Sequence, residues 1–591
     1  MKEKQNAQKG SRRTVAIAVV LIVVLAAAAV GAWLLFGESA DTRRLQEKTD
    51  LLKPDVLTEE ILWELGTAPA GKAGHVVMIS VSDTTRRAWV FTGRGMEAEE
   101  AWDNAVKQAK KGIRREKLSP QWVRADVVYE YQQVDQETFQ KGISGAANSG
   151  LRYGVAFDPE FKTALLETEL NSAGLYDYEN DRLDLDATNR YLKERGAAEQ
   201  KELPNTITVF RTFGSFCDEN DRVYKLNASD HDIGRREIGV MDAADADALV
   251  QRAADYLAAQ VQKDGSFVYG TDARFGTQLE GYNILHHAGT LWAMTSAYAR
   301  VGGEELAKAM EKAAGYLASQ VVWQDAETAF VLDAASEELK LGAAALAVTA
   351  LLSYDRVAGQ NGYETLCTQL GNGIVSMLDP ATGIFSHVLY PDFTQKELYR
   401  SARYDGEAAY ALCCLYEQTG DSRWLEAAQK AADVFVSENY THFCDQWASY
   451  TVNALTQHVE NAEYCVFALH NAQKNYEVIG QEITAPMRVE LLLCTFDLYD
   501  RLLWAGSEIE GFDGERLMQT ISDRMARLLD GCIWPETAMY LENPAAVCGA
   551  FMVREDGFRV RIDDVQHAIS ALCLYAELRS RMLGHGLPAF S

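Results

Sequence analysis

From Asp242 to the C-terminus the sequence is a succession of helical segments with no strand pattern between them. Apolar residues recur there at the three- and four-residue spacing of an amphipathic helix. The spacing predicts twelve helices in six pairs: 243–262 with 282–300, 304–322 with 338–356, 362–378 with 402–418, 422–438 with 446–458, 461–479 with 487–504, and 513–530 with 563–582. Six helical hairpins over 242–585 predict a mainly α domain, a closed (α/α)6 toroid in which inner helices ring a cavity and outer helices cover them.

The lengths of the connecting segments favour a closed ring over an open solenoid. The inner helices, second in each pair, begin roughly 40 to 75 residues apart, whereas tetratricopeptide repeats keep a period of about 34 residues. Links between pairs are short, as at 301–304 and 419–422, and links within pairs are mostly long, as at 379–399 and 533–561. The long links would gather at the end of the ring where the inner helices begin. We expect the functional site at this end, because loops carry function and helix N-termini favour anions.

Polar and titratable residues are concentrated at the predicted starts of the inner helices. We expect the catalytic groups to come from Glu407, Asp563, Asp564, Asp445, His287 and Tyr404. We expect the substrate-binding groups to be Tyr282, His286, Arg403, Asp405, Trp447, Tyr450, Arg488, Arg561, Gln566 and His567. The segment 561–567 contains the most polar residues. An aspartate there can cap the helix, but capping does not require an arginine, a glutamine and a histidine beside it, so we expect a functional role for the segment. In the preceding link, Glu536 is a weaker acidic candidate.

Each cluster also has a purely structural interpretation. One of His286 and His287 can belong to the core, Arg403 can pair with nearby carboxylates on its helix, and Asp445 is well placed as an N-cap. The histidines lack the spacing of a zinc motif, and the ten cysteines form neither a CxxC pair nor a zinc-type quartet, so we expect no metal and no cofactor. Most cysteines lie on apolar helix stripes, as is typical of buried thiols.

Two kinds of sugar chemistry fit these residues. Two carboxylates that face each other across a cleft can share acid and base work at a glycosidic bond. Glu407 can form such a pair with the aspartate at 445, 563 or 564. A tyrosine or histidine base beside an arginine that holds a uronic carboxylate can instead remove a proton, as elimination or epimerisation requires. Tyr404, His287 and Arg561 can take those roles.

Several short motifs resemble those of the six-hairpin glycosidase-like (α/α)6 toroids, a group that includes glycoside hydrolases, polysaccharide lyases and sugar epimerases. The motifs are Asp-Gly-Ser-Phe at 264–267, Tyr404-Asp405-Gly406-Glu407-Ala408 followed by Leu412 and Tyr416, Thr419-Gly420-Asp421 with Trp424, Leu425, Ala428 and Phe435, and Asp445-Gln446-Trp447. Their order on alternating helices carries the resemblance, which covers about 242–585. It implies the toroid fold and a carbohydrate-active protein, and it assigns no catalytic residue.

Residues 73–235 have a different pattern. Alternating and β-branched runs predict strands at 75–81, 87–92, 123–131 and 206–213, and apolar spacing predicts helices at 97–115 and 185–193. Strands and helices mixed in this way are typical of an α+β domain, smaller than the toroid and preceding it. A binding role and a structural role for this domain are both open.

Residues 14–36 form an unbroken run of about 23 uncharged, largely apolar residues, long enough to cross a bilayer as one helix. Five basic residues and one acidic residue precede the run. The positive-inside rule therefore predicts a cytoplasmic N-terminus at 1–13, a single transmembrane signal anchor in the cell membrane, and an extracytoplasmic body. A cleaved signal peptide is the alternative, although its apolar region is normally shorter. A stalk with a short helical stretch at 54–65 is expected over 37–72.

The charge of the chain narrows the choice of partners. A formal net charge of −28 disfavours contact with nucleic-acid phosphates, so we expect no nucleic-acid partner. We expect a polysaccharide or oligosaccharide ligand, and a lipid bilayer through the one N-terminal helix. The whole sequence predicts a membrane-anchored carbohydrate-active enzyme, a glycoside hydrolase or a related lyase or epimerase. A non-catalytic toroid that binds a glycan or a protein during cell-envelope assembly is the alternative.

Overall fold

The computed structural model describes residues 39–57, 74–143, 150–177, 180–228, 232–396, 399–482, 485–507, 510–552 and 557–584. The predicted signal anchor at 14–36 lies outside these residues and stays a prediction. Within the described chain, one helix, Leu341–Ala358, is long and apolar enough to span a bilayer, and 78% of it is buried inside the protein. It is an inner helix of the ring described below, and burial on all sides explains its apolar character.

An antiparallel sheet of seven strands organises the first part of the described chain. The strands are β1 (His75–Ser82), β2 (Trp89–Gly95), β3 (Trp122–Asp135), β4 (Gly154–Ala156), β5 (Ala164–Leu165), β8 (Thr206–Cys217) and β9 (Val223–Leu226), and a separate ribbon consists of β6 (Tyr176–Asp177) and β7 (Arg182–Leu183). The order in the sheet is β2-β1-β3-β8-β4-β5, with β9 also paired to β8. The four long strands agree with the four predicted from β-branched and alternating runs.

Five helices accompany this sheet. They are α1 (Ala40–Val56), α2 (Ala98–Glu116), α3 (Gln136–Ile143), α4 (Glu167–Ser172) and α5 (Leu185–Glu194). Helices α1 and α2 share one apolar core with β1 and β3. Leu45, Leu52 and Val56 lie on one face of α1 and are fully buried, so the part of the expected stalk that is described is a packed helix. It ends at Val56, and most of the helical stretch expected at 54–65 lies outside the described residues.

The second part of the chain is the predicted toroid of twelve principal helices. The outer helices are α6 (Ala243–Gln260), α8 (Glu304–Ser319), α10 (Glu364–Ser376), α12 (Ser422–Ser437), α14 (Ala462–Gln473) and α17 (Gly514–Asp530). The inner helices are α7 (Ile284–Val301), α9 (Leu341–Ala358), α11 (Ala402–Thr419), α13 (Gln446–Leu455), α16 (Pro486–Trp504) and α20 (Ile562–Gly584). Each inner helix packs against the next in that order, and α20 packs against α7, so the ring is closed.

The long links within the helical pairs contain short elements that the helical spacing did not predict. One small sheet has the order β11-β10-β16 and another the order β12-β13-β14-β15. Their strands are β10 (Gly270–Asp272), β11 (Thr277–Gln278), β12 (Val321–Trp323), β13 (Ala329–Asp333), β14 (Glu338–Lys340), β15 (Val388–Leu389) and β16 (Arg559–Arg561), and the links also hold the short helices α15 (Tyr476–Gln481), α18 (Pro535–Ala538) and α19 (Pro544–Val547). Strand β14 leads directly into α9 and β16 into α20, so both strands fix the start of an inner helix.

A buried ion pair joins the two parts of the chain. The guanidinium of Arg236 donates to both carboxylate oxygens of Glu536, over 2.8 and 2.6 Å, and the Arg236 backbone N–H donates to the same carboxylate over 2.9 Å. Both side chains are buried, and the Arg236 guanidinium also lies 3.7 Å from the ring centre of Tyr224. Glu536 is therefore a structural residue, and its inclusion among the acidic candidates is wrong.

We predict that Glu536→Gln lowers the free energy of unfolding by about 3–5 kcal/mol, because it leaves the buried charge of Arg236 without a counter-charge. Chemical denaturation followed by circular dichroism measures this. Glu137→Gln is the control, since Glu137 pairs with Lys141 on an exposed helix face, and we expect its effect to be small. Equal effects of the two substitutions would contradict the structural role of the Arg236–Glu536 pair.

Candidate active site

A cavity of about 590 Å³ opens at the end of the ring where the inner helices begin, and we call it the mouth cavity. Eleven of the predicted site residues line it: Glu407, Asp563, Asp564, Tyr404, His286, Arg403, Trp447, Arg488, Arg561, Gln566 and His567. The starts of the inner helices are far apart in sequence, and we expected them to meet at one end of the ring. The structure agrees with this expectation. The volume lies within the range of about 300–1,000 Å³ that is typical of small-molecule sites.

Glu407 is the buried acid of this cavity. Its side chain lies on α11, its residue is only 4% exposed, and its Oε2 has no hydrogen-bond partner among the described residues. Burial, and next the nearby charge of Asp445, raise the pKa of Glu407 well above its usual value, against a smaller opposing effect of Arg403. Both effects favour the protonated form of the carboxyl group.

Gly342 at the start of α9 makes room for this carboxyl group. A Cβ at that position would lie 2.1 Å from Oε2 of Glu407 and 2.7 Å from Cδ1 of Tyr404. Neither contact is possible without displacement of the side chains, so the absence of a side chain at Gly342 lets Glu407 lie against the backbone of α9.

The two aspartates at the start of α20 have different partners. Arg561 donates to both oxygens of Asp564, over 2.7 and 3.2 Å, yet burial raises the pKa of Asp564 to about 6. Asp563 has a buried Oδ1 with no hydrogen-bond partner among the described residues, and its Oδ2 lies 3.9 Å from Nε2 of His286. Oδ1 of Asp563 is therefore a buried acceptor that the described residues leave unsatisfied, in a residue that lines the mouth cavity.

The two histidines that line the mouth cavity have opposite electrostatic surroundings. Burial lowers the pKa of His286, whose ring stacks on Tyr269 with 5.5 Å between the ring centres. Burial also opposes a charge on His567, but the carboxylate of Glu490 lies 2.7 Å from its Nδ1 and raises its pKa overall. The structure thus presents a neutral imidazole beside Asp563 and a second imidazole that is oriented by a carboxylate.

Five predicted site residues do not line the mouth cavity: Asp445, His287, Tyr282, Asp405 and Tyr450. Asp445 is the N-cap of α13 and accepts a hydrogen bond from the backbone N–H of Ala448 over 3.0 Å, which agrees with its structural interpretation. Burial raises its pKa to about 6. Its charge raises the pKa of Glu407, so it acts on the cavity through that residue.

His287 and Tyr282 form a buried pair behind the cavity wall. Nε2 of His287 donates to the carbonyl oxygen of Ala313 over 2.9 Å, and its Nδ1 accepts from the Tyr282 hydroxyl over 2.9 Å. Both ring nitrogens are thus used within the protein, and burial lowers the pKa of His287 to about 4. The catalytic role predicted for His287 and the binding role predicted for Tyr282 are corrected to packing roles.

Asp405 has a full set of donors inside the protein. Its carboxylate accepts from Nε2 of His387 over 2.8 Å, from the Tyr440 hydroxyl over 3.0 Å and from Arg400 over 3.1 Å. The backbone N–H of Ser401 donates to Nδ1 of His387, which assigns the remaining ring proton to the Asp405 contact. The predicted binding role of Asp405 is corrected to that of a buried anion that fixes the start of α11.

Tyr450 faces the opposite end of the ring. Its hydroxyl donates to Oε2 of Glu490 over 2.7 Å, and its ring lines a second cavity of about 370 Å³ at the ends of the inner helices. The rings of Trp292, Tyr410, Trp447 and Tyr450 lie 5.3–6.0 Å apart, centre to centre, in one cluster. Trp447 lines the mouth cavity and the other three line the second one, so this aromatic layer separates the two.

Five polar residues of the mouth cavity were not predicted: Lys340, Tyr399, Ser401, Gln446 and Glu482. Each lies at the start of an inner helix or within four residues before it. Lys340 is the N-cap of α9, the one inner helix to which no candidate was assigned. Among the described residues, no group of three or more His, Cys, Asp or Glu side chains is placed to hold a metal ion.

No protein-family model matches the chain, and no curated protein sequence matches it. Among solved structures, cellobiose 2-epimerase from Bacillus thermoamylovorans is similar with 12% identity and a TM-score of 0.45, over 57% of this chain and 99% of that chain. D-mannose isomerase is similar with 10% identity and a TM-score of 0.44, over 57% and 97% of the two chains. A heparin-specific unsaturated glucuronyl hydrolase is similar with 12% identity and a TM-score of 0.40, over 57% and 98%. The closed ring of six helical hairpins in this chain is established by the contacts between its own inner helices.

Proposed function

We propose that the protein is a carbohydrate-active enzyme that acts on an oligosaccharide or polysaccharide bound in the mouth cavity, most simply by hydrolysis of a glycosidic bond. The observation that carries this proposal is the state of Glu407. Its carboxyl group lines the mouth cavity, and burial raises its pKa well above the usual value, which favours the protonated form. A proton held in this way is available for a leaving-group oxygen, as a general acid requires.

Asp563 supplies the second carboxylate. Glu407 lies on α11 and Asp563 on α20, which are three positions apart in the ring of six inner helices and therefore on opposite sides of it. Two carboxyl groups that face each other across a cleft, one protonated and one with a free oxygen, are the arrangement that glycosidic bond cleavage uses. Asp563 then acts on the sugar ring or on a water molecule from the side opposite Glu407.

The remaining lining residues suit a sugar with an acidic group. The rings of Trp447, Tyr404 and Tyr399 line the mouth cavity and offer apolar faces to the C–H groups of a sugar. Arg561 is paired with Asp564 and Arg488 with Glu482, whereas Arg403 is exposed and has no ion-pair partner among the described residues. Arg403 can therefore bind the carboxylate of a uronic acid. In a related lyase or epimerase, the same arginine would hold the group beside which a proton is removed.

We predict that Glu407→Gln and Asp563→Asn each lower kcat by about 10²–10⁴-fold with no loss of thermal stability. Glutamine has nearly the same shape as glutamate and carries no charge, so it suits a buried position that disfavours the charged carboxylate, and folding should be unaffected. Activity is measured on envelope and plant polysaccharides as release of reducing ends, formation of unsaturated uronates and change of sugar configuration. Glu417→Gln is the matched control, since Glu417 lies on the same helix and lines the second cavity.

The outcomes of this assay separate the candidate functions. Activity that survives both substitutions would contradict the two-carboxylate site, and the product type separates hydrolysis from elimination and epimerisation. If no substrate is turned over but polysaccharides retard the protein in affinity gels, and the two variants weaken that retardation, the non-catalytic glycan-binding toroid is the correct function.

We predict that activity falls as the pH rises through the pKa of Glu407 and that this pKa lies above that of an exposed glutamate. Activity falls with rising pH because a general acid must carry its proton. Burial raises the pKa of Glu407, so the proton is retained to a higher pH than on an exposed glutamate. The pH dependence of kcat/KM tests this, together with infrared titration of the protonated carboxyl band, which Glu407→Gln should abolish. A band that titrates at the pH of an exposed glutamate would contradict the prediction.

We further propose that residues 14–36 anchor the enzyme in a membrane, with the toroid on the extracytoplasmic side. The support is the length of the apolar run and the excess of basic residues before it. We expect the full chain to stay with membranes through an alkaline carbonate wash and a variant without residues 1–37 to be released. A protease added outside should digest the body of the full chain in intact cells. Release of the full chain by carbonate would contradict the anchor.

A further inference from the structure

The C-terminal half of α2, with its C-cap Lys117, is strongly basic in a chain whose net charge is −28. Between residues 107 and 117 the chain carries Lys107, Lys110, Lys111, Arg114, Arg115 and Lys117 against the single acid Glu116, which pairs with Arg115. The side chains of Lys107, Lys111, Arg114, Arg115 and Lys117 are exposed. Basic residues in the last turn suit the helix dipole, but that effect is confined to the last turn and leaves Lys107, about two turns earlier, without an explanation.

The basic half of α2 lies beside the first turn of α1. Nε of Arg114 donates to Oγ1 of Thr42 over 3.1 Å, while Lys53 near the end of α1 pairs with Glu99 at the start of α2. The two helices are therefore antiparallel. A groove of about 490 Å³ runs between them, and Lys53, Lys107, Lys110, Lys111 and Arg114 contribute all of its basic lining.

The first turn of α1 is also the point nearest in sequence to the proposed anchor. The apolar run ends at Phe36 and α1 begins at Ala40, so three residues lie between them and four Cα–Cα steps connect them. Four such steps span at most about 14 Å even when fully extended. With the run in a bilayer, the start of α1 and the adjacent end of α2 are held close to the lipid headgroups, within less than two Debye lengths at about 0.15 M salt.

Acidic side chains also lie on and around this surface. Asp50 and Asp103 line the groove, Asp41 and Glu47 lie on α1, and Arg86 pairs with Asp83 over 3.3 Å while it donates to the Glu116 carbonyl oxygen over 2.7 Å. Arg43 in the first turn of α1 is exposed. Arg43, Arg86 and the six basic residues of 107–117 are eight cations against six acids, namely Asp41, Glu47, Asp50, Asp83, Asp103 and Glu116, so the surface is positive overall.

We propose that this surface, which we call the basic face, binds the anionic phosphate headgroups of the bilayer in which the chain is anchored. The inference rests on the proposed anchor. Each lysine or arginine near an anionic bilayer surface adds attraction, and several together fix an orientation that one flexible tether cannot. Binding through the basic face holds the antiparallel sheet and the attached toroid in one orientation relative to the membrane.

The test uses the full chain in vesicles of phosphatidylcholine alone or with about one third phosphatidylglycerol, at about 150 mM salt. Lysines are acetylated with a water-soluble reagent and the modified peptides are quantified by mass spectrometry. We expect Lys107, Lys111 and Lys117 to react severalfold more slowly on the anionic vesicles only, and the difference to vanish at high salt. Lys263, Lys312 and Lys430, exposed on the toroid, are internal controls that should not change.

Two variants sharpen the test. In Lys107→Gln/Lys111→Gln/Lys117→Gln, the remaining Lys53 and Lys110 should react at the same rate on both vesicles. In Lys263→Gln/Lys312→Gln/Lys430→Gln, which loses the same charge from the toroid, the protection of Lys107, Lys111 and Lys117 should persist. Flotation of the vesicles after a carbonate wash reports the anchor separately.

Each outcome decides the proposal. Firm anchoring with equal lysine reactivity on both vesicles would overturn the basic face and leave the anchor intact. If the carbonate wash releases the chain but the lysines are still protected on anionic vesicles, the basic face is supported and the anchor is not. If the chain associates with neither kind of vesicle, both the basic face and the anchor are overturned. Stronger protection by soluble polyphosphate than by anionic vesicles would also overturn it, in favour of an anionic polymer.

Discussion

The closure of the ring between α20 and α7 is the constraint on which the rest of the structure depends. These helices lie at opposite ends of the toroid sequence, yet Gly289 of α7 lies so close to Gln566 of α20 that a Cβ would be 2.5 Å from its Oε1. Strand β16 strengthens the same seam, because Arg561 pairs with Gly270 in register with β10. Closure brings Arg561 and Asp563 beside His286 and encloses the ring interior.

Enclosure explains the chemistry of the mouth cavity. A carboxyl group surrounded by helices loses hydration that no ion pair restores, so its pKa rises and its protonated form is favoured. Glu407 is in this position, and the burial of Asp445 beside it adds a charge that acts in the same direction. Beneath them the aromatic layer with Trp292 and Trp447 separates the cavity from the opposite end of the ring. A ligand therefore enters and leaves through the mouth where the acidic residues lie.

The helical pattern predicts the ring and its mouth but not which side chain at each helix start faces inward. Consecutive residues on a helix point about 100° apart, so His286 lines the cavity while His287 packs behind it. In the same way Tyr404 and Glu407, three residues apart, share the inner face of α11, and Asp405 points away from it. The spacing of apolar residues identifies the buried face of a helix that is exposed on one side. The inner helices are buried on nearly every side, so the spacing does not show which of their faces points into the ring.

Long-range contacts explain what the sequence could not show. Nothing near Glu536 indicates that Arg236 will pair with it, because the two are 300 residues apart and meet only when the sheet and the toroid pack together. The same interface includes a hydrogen bond of 2.7 Å from the Tyr540 hydroxyl to Ser80 of β1.

The segment that these contacts hold lies between α17 and β16 in the sequence, and β16 leads into α20. The sheet thus packs against the stretch of chain that precedes the helix carrying Asp563, and this contact gives the α+β region a structural role whether or not it binds a ligand of its own.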